Sequence, residues 1–221
     1  MREAFQEQLD EITDRLVAMA RTAGQQIARA TDALLEADIQ LADQTVSADA
    51  TINRDQLEID EQVSELLARQ APVARDLRLA LSALRNTADI ERMGDLAVHV
   101  AKIVRMYHPH AAVPEEFRDT FRRMGETAAS MADKASTVLR QRDVDTAMQL
   151  SRDDDEMDRL HRSLFRVMFD SDWDRGVETA VNIALLGRYY ERFADHAVHI
   201  GTHVRYLVTG EAERADSQAG H

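Results

Sequence analysis

The chain has 221 residues, with 27 Lys and Arg against 40 Asp and Glu, a formal net charge of −13, three Pro and no Cys. The lack of Cys excludes disulfides, thiolate zinc sites and a Cys nucleophile, and it fits a reducing compartment, so a cytoplasmic location is the default expectation. The acidic balance, with no compensating basic block, argues against nucleic acid, whose phosphates require a cationic surface.

The first residues, Met1-Arg2-Glu3-Ala4-Phe5-Gln6-Glu7, are polar at once, and no later run approaches the roughly 18 apolar residues of a membrane span. Neither export nor membrane insertion is expected, and any contact with the inner face of the membrane would go through protein partners. Ala, Leu, Arg, Glu, Asp and Gln dominate while aromatics make up only 5%, which favours helix over strand and predicts an all-α fold.

A first helix is expected near 3–36. Asp38 then reads as the N-cap of a second helix over 39–70, and Pro72 marks the turn into a third over 73–107. Residues 109–114, bounded by Pro109 and Pro114, read as a linker. The pattern then repeats, with helices near 115–141, 144–169 and 175–208, Asp143 as the matching cap and the segment from Asp170 to Gly176 as the matching turn. Periodicity lapses from Thr209 to His221, where a disordered tail is expected.

The repeat is explicit in the residues. Glu91-Arg92-Met93-Gly94-Asp95-Leu96-Ala97-Val98-His99 returns as Glu191-Arg192-Phe193-Ala194-Asp195-His196-Ala197-Val198-His199. Two tandem antiparallel three-helix bundles, residues 1–108 and 115–208, with six long helices in all, follow more naturally than one irregular bundle.

Walking the third helix by fours and threes gives Leu77, Leu81, Leu84, Ala88, Glu91, Asp95 and Val98. The same walk in the sixth gives Val177, Val181, Ala184, Arg188, Glu191, Asp195 and Val198. Read as core seams, both are interrupted by two acids at the same places, and partly buried carboxylates must be paired, protonated or bound to a cation. On the neighbouring helices, Asp154 and Asp158 form a second pair, and Asp49 with Asn53 its first-half counterpart. Residues equidistant from a hairpin turn stand level. Asp49 with Asp95, and Asn53 with Glu91, are both centred on Pro72; Asp154 with Asp195, and Asp158 with Glu191, are both centred between Asp174 and Arg175.

Each hairpin is therefore expected to gather three or four carboxyl groups, a hard-oxygen set suited to Mg, Ca, Mn or Fe. The candidate metal ligands are Asp49, Glu91, Asp95, Asp154, Asp158, Glu191 and Asp195. His99 and His199, one turn further on, could add nitrogen and move the preference toward Fe or Zn, although a surface or capping role is commoner for such residues. Arg92 and Arg192 read as partners for acids on an adjacent helix. The competing bland reading is a solvated acidic face. A ferritin-like metalloenzyme would need Glu-x-x-His motifs, and none occurs in the sequence. The nearest approach is Asp158 with His161, so no enzyme is expected.

Three stretches together carry a resemblance: Gln70-Ala71-Pro72-Val73-Ala74-Arg75-Asp76-Leu77-Arg78, Glu91-Arg92-Met93-Gly94-Asp95 and Glu191-Arg192-Phe193-Ala194-Asp195. From about residue 3 to about residue 208 the chain resembles the PhoU family of phosphate-signalling regulators, whose members are two tandem three-helix bundles. The resemblance implies metal binding, including multinuclear iron clusters, at the paired Glu/Asp-x-x-x-Asp motifs, here Glu91 and Asp95, Glu191 and Asp195, and Asp154 and Asp158. It leaves the cation open among Fe, Zn, Mn and Mg.

It further implies a cytoplasmic adaptor that couples the ATPase of a high-affinity phosphate ABC transporter to a membrane sensor histidine kinase, and represses phosphate-starvation signalling and uptake when phosphate is sufficient. An accessory to another kind of phosphate transporter is the alternative, and a homodimer is expected. Two departures stand out. Asn53 puts a neutral amide in the last ligand place of the first half, so weaker metal binding is expected there, and His99 and His199 replace the family's usual Asn.

Overall fold

The computed structural model describes residues 2–210. The described residues form six helices and no strand: α1 (Arg2–Glu36), α2 (Ile39–Gln70), α3 (Ala74–Tyr107), α4 (Glu115–Gln141), α5 (Val144–Met168) and α6 (Gly176–Thr209). Their ends lie where the sequence places its signals. The Asp38 carboxylate accepts hydrogen bonds from the amides of Gln40 (2.8 Å) and Leu41 (3.1 Å) at the start of α2, and Asp143 accepts from Asp145 N (3.1 Å) at the start of α5. Each satisfies amides that the first helical turn leaves without partners. In the α5–α6 turn Asp170 accepts from Asp172 N, and Gly176 takes φ +79°, a conformation that favours glycine.

The helices form two three-helix bundles, α1–α3 and α4–α6, packed side by side. Helix α1 lies against α4 and α3 against α6, while α2 packs on α1 and α3, and α5 on α4 and α6. One hydrophobic core runs through both bundles, and the connecting segment belongs to it, since Ala112 and Val113 are buried. Helix α6 extends through Thr209, one residue past the expected boundary; the remainder of the expected tail, from Glu211 on, lies outside the described residues.

The expected core seam of α3 is displaced by a rotation of the helix. Leu77 and Leu81 are exposed, as are Val177 and Val181 on α6, and Leu84 is only partly buried. The buried stripe is Ala80, Ala83, Thr87, Ile90, Gly94, Ala97, Ala101 and Val104 on α3, and Ile183, Leu186, Tyr190, Phe193, Ala197, Ile200 and Val204 on α6. Small residues fill the α3 stripe because three helices crowd it. A Cβ on Gly94 would lie only 3.0 Å from Ile52 Cδ1. Glu91 and Asp95 consequently sit at the rim of the interface, half-buried, and do not interrupt its centre. Leu84→Asp is therefore expected to lower stability by about 1–2 kcal/mol without unfolding the first bundle, as chemical denaturation would show; loss of native helicity at room temperature would return Leu84 to the core.

Candidate metal sites

On the second hairpin, Asp154 and Asp158 of α5 face Glu191 and Asp195 of α6. The Asp154 carboxyl is pushed up to about 6 by burial, and then by the negative charges of Asp195, Asp158, Glu191 and Asp155. Its Oδ1 is buried and has no hydrogen-bond partner. Burial, followed by the charge of Asp195, also raises Glu191, while the Arg188 guanidinium that pairs with it works in the opposite direction. Arg162 lies 3.9 Å from Asp158. Four acids are held level, and one of their carboxyls keeps its proton up to about pH 6, which is the signature of mutual repulsion among partly buried carboxylates.

His161 enters the sequence reading beside Asp158, as the nearest approach to a Glu-x-x-His motif, and has no part there among the ligands. Its ring lies against α6 at Gly187, where a Cβ would come within 2.9 Å of His161 Cδ2. Nε2 is buried without a partner, and burial, aided by Arg188, pushes the imidazole below its ordinary range. A neutral ring beside Asp158 is a nitrogen donor available to this cluster. Its i, i+3 spacing from Asp158 was the available signal.

The first hairpin brings Asp49 and Asn53 of α2 level with Glu91 and Asp95 of α3. Asn53 Nδ2 donates to Asp49 Oδ2 at 2.9 Å, and Arg92 donates to Asp95 Oδ2 at 3.0 Å. Burial raises Asp49 and Glu91; the Asn53 hydrogen bond opposes the rise at Asp49, and the charge of Asp95 adds to it at both. Asp49 Oδ1 is buried without a partner, as are both amide atoms of Gln26 on α1. Both residues turn toward Gly94, whose missing Cβ would sit 3.3 Å from Asp49 Oδ1 and 3.3 Å from Gln26 Oε1. Gln26 escaped the sequence reading; its signal is a polar residue between Ala23 and Ile27 on the buried face of α1.

All seven acids thus stand on the two hairpin faces, at matching levels. They are not drawn into a closed shell: among the described residues, the trio of side chains whose ligand atoms lie within 4.8 Å of one another is Asp89, His196 and His199. Two expectations change. Arg92 pairs with Glu91 and Asp95 of its own helix, not with acids of a neighbour. His99 stacks on Tyr189 (ring centroids 5.1 Å apart) and His199 turns to Asp89 of α3, so each imidazole serves the seam between the bundles.

A fold of two like bundles carrying the same acidic motif can be compared with known proteins. The family model described as the PhoU domain matches twice, over residues 16–104 and 121–204. Phosphate-specific transport system accessory protein PhoU homolog 2 of Mycobacterium tuberculosis is 47% identical over 210 residues, spanning 95% of this chain and 99% of its own. Homolog 1 of Mycobacterium leprae is 44% identical over 220 residues, covering 100% and 99% of the two chains. Among solved structures, PhoU from Pseudomonas aeruginosa superposes with a TM-score of 0.81 at 31% identity, covering 94% of this chain and all of that one. The phosphate transport system regulatory protein PhoU from Streptococcus pneumoniae gives 0.82 at 25% identity, covering 94% and 98%. With both halves matched and relatives aligned nearly end to end, the chain belongs to the PhoU family.

Proposed function

We propose that this protein is a phosphate-homeostasis regulator: a cytoplasmic, non-catalytic adaptor that joins a phosphate ABC transporter, through its ATPase, to a membrane sensor histidine kinase and represses starvation signalling and uptake when phosphate is plentiful. The observation that carries this reading is the end-to-end similarity to phosphate-specific transport accessory proteins, with both PhoU units present. Among the described residues no helix is long and apolar enough to cross a membrane, so membrane contact would be through partners. Cations held at the two carboxylate hairpins, Mg, Mn, Fe or Zn, would neutralise the acidic faces and fix their shape.

The exposed apolar residues at the tip of the second hairpin suit such docking. Phe169 and Val177 are each 80% exposed, and Val181 lies beside them. Together with Phe165, Trp173 and Ala180 they line an open depression, and exposed apolar clusters of this kind mark protein contacts.

The test is affinity capture of the tagged full-length protein from membranes of its own cells, with phosphate plentiful and depleted. A transporter ATPase or histidine kinase should be retained above an untagged control, and a Phe169→Asp, Val177→Asp double variant should lose it while melting normally. Retention of neither under either condition would reject the adaptor. Retention of a phosphate carrier of another type would favour the accessory reading.

A further inference from the structure

The seam between the bundles holds a side-chain cluster of different chemistry. Asp89 projects from α3 of the first bundle toward three imidazoles of α6 in the second. His196 Nδ1 lies 2.8 Å and His199 Nδ1 3.4 Å from Asp89 Oδ1, and His203 Nδ1 lies 3.5 Å from Oδ2 and 3.1 Å from Asn86 Oδ1. The three His follow at i, i+3 and i+7, which puts them on one face of the helix. Three of the eight His in the chain meet here.

Holding α3 to α6 does not require this set. The repeat-related positions across the seam are Leu96, His99, Ile103 and Tyr189, and there contact is made by the His99 and Tyr189 rings. Two imidazole nitrogens converge on a single carboxylate oxygen, which is more donor atoms than one hydrogen bond uses. Ligands of a tetrahedral zinc ion stand about 3.4 Å from one another. One ligand atom each from Asp89, His196 and His199 already lies within 4.8 Å of the other two.

We propose that Asp89, His196 and His199 bind a zinc-class divalent ion, with His203 as the fourth ligand, so that the metal ties the first bundle to the second. Imidazole nitrogens select Zn, Co, Ni or Cu over the hard cations that suit the carboxylate hairpins. The donor set therefore differs in kind from that of the carboxylate clusters, although Asp195 and Asp154 act on His199 through their charge, and the site is independent of the adaptor role. His199, 57% exposed at its side chain, gives the ion its path from solvent.

Titration of the full-length protein with Co2+, in excess Mg2+ to occupy carboxylates, tests this. One equivalent should produce the strong visible absorption of tetrahedral Co2+, and one equivalent of Zn2+ should abolish it. His199→Ala and Asp89→Asn should remove the band and weaken Zn2+ binding about 100-fold, while Asp119→Asn, at an exposed acid of α4, leaves both unchanged. Zn2+ should raise the melting temperature of the wild type and not of His199→Ala. His199→Gln, which keeps the bulk of the side chain, guards against a folding defect. No tetrahedral band in the wild type, a band that survives His199→Gln, or one that disappears in Asp119→Asn would overturn the proposal.

Discussion

Replacing Asp154 with Asn is expected to raise the melting temperature of the metal-free protein at pH 7.5 by about 2–4 °C, and to remove most of the stabilisation that Mn2+ gives the wild type. The sign follows from linkage. Burial and four neighbouring acids raise the Asp154 carboxyl to about 6 in the folded chain, so the native state holds this proton more tightly than the unfolded state does. The group's contribution to stability is complete below the ordinary aspartate range, near pH 4, and is lost as pH rises through about 6. Each tenfold displacement of a protonation equilibrium is worth about 1.4 kcal/mol, but the side chain is only partly buried, and screening reduces the net effect to about 1 kcal/mol.

Asn keeps the shape and abolishes the charge, so its benefit should be largest at pH 7.5 in chelator, smaller at pH 5, and gone below about pH 4. A bound cation reverses the balance. At a hundredfold excess over its Kd, a ligand specific to the folded state stabilises by about 2.7 kcal/mol, and the variant has given up one of its ligands. The matching Asp49→Asn change should do less on both counts, because Asn53 already hydrogen-bonds Asp49 and offsets part of its rise. A variant that melts no higher than wild type in chelator at pH 7.5, or equal metal loss from both halves, would refute the account of unequal clusters.

How far the sequence could be read depended on whether the signal was local. Asp38, Pro72 and Asp143 act within a turn of their own positions, so the helix ends followed directly. Centring acids on a hairpin turn worked because long antiparallel helices preserve register from Pro72 to Asp49 and Asp95. The rotational phase of α3 did not follow, because it depends on which helices surround it. Large apolar residues such as Leu77 and Leu81 look like core, yet α1, α2 and α6 approach so closely that Ala80, Ala83, Gly94 and Ala97 occupy the contact. The pairing of Asp89 with His196 joins residues from different repeats. Spacing within one repeat carries no trace of it.

That same closeness governs the second large effect, Gly125→Ala, expected to lower stability by about 2–3 kcal/mol and the melting temperature by about 5–10 °C. Where α4 crosses α1, a Cβ on Gly125 would stand 2.8 Å from Thr31 Cβ and closer still to its hydroxyl and methyl. Thr31 cannot swing away freely. Its hydroxyl donates to Ile27 O (2.7 Å) and shares a 2.8 Å hydrogen bond with the fully buried Tyr190 hydroxyl of α6. Rotating it would leave a buried hydroxyl without a partner, at about 1–3 kcal/mol, and moving α4 would open the core around Phe121 and Tyr190, whose rings lie 5.8 Å apart.

Ala for Gly in mid-helix gains about 1 kcal/mol of helix propensity, too little to offset this. Gly24→Ala at the same crossing is the internal comparison, since its Cβ would meet the Ala132 methyl at 3.0 Å and the Ala129 carbonyl oxygen at an ordinary 3.6 Å. A small shift can relieve that contact, and the propensity gain should bring the net change close to zero. Urea denaturation of the two variants separates the cases: if Gly125→Ala were as stable as Gly24→Ala, the bundles would not be locked through Thr31, and their contact would be looser than the shared core implies.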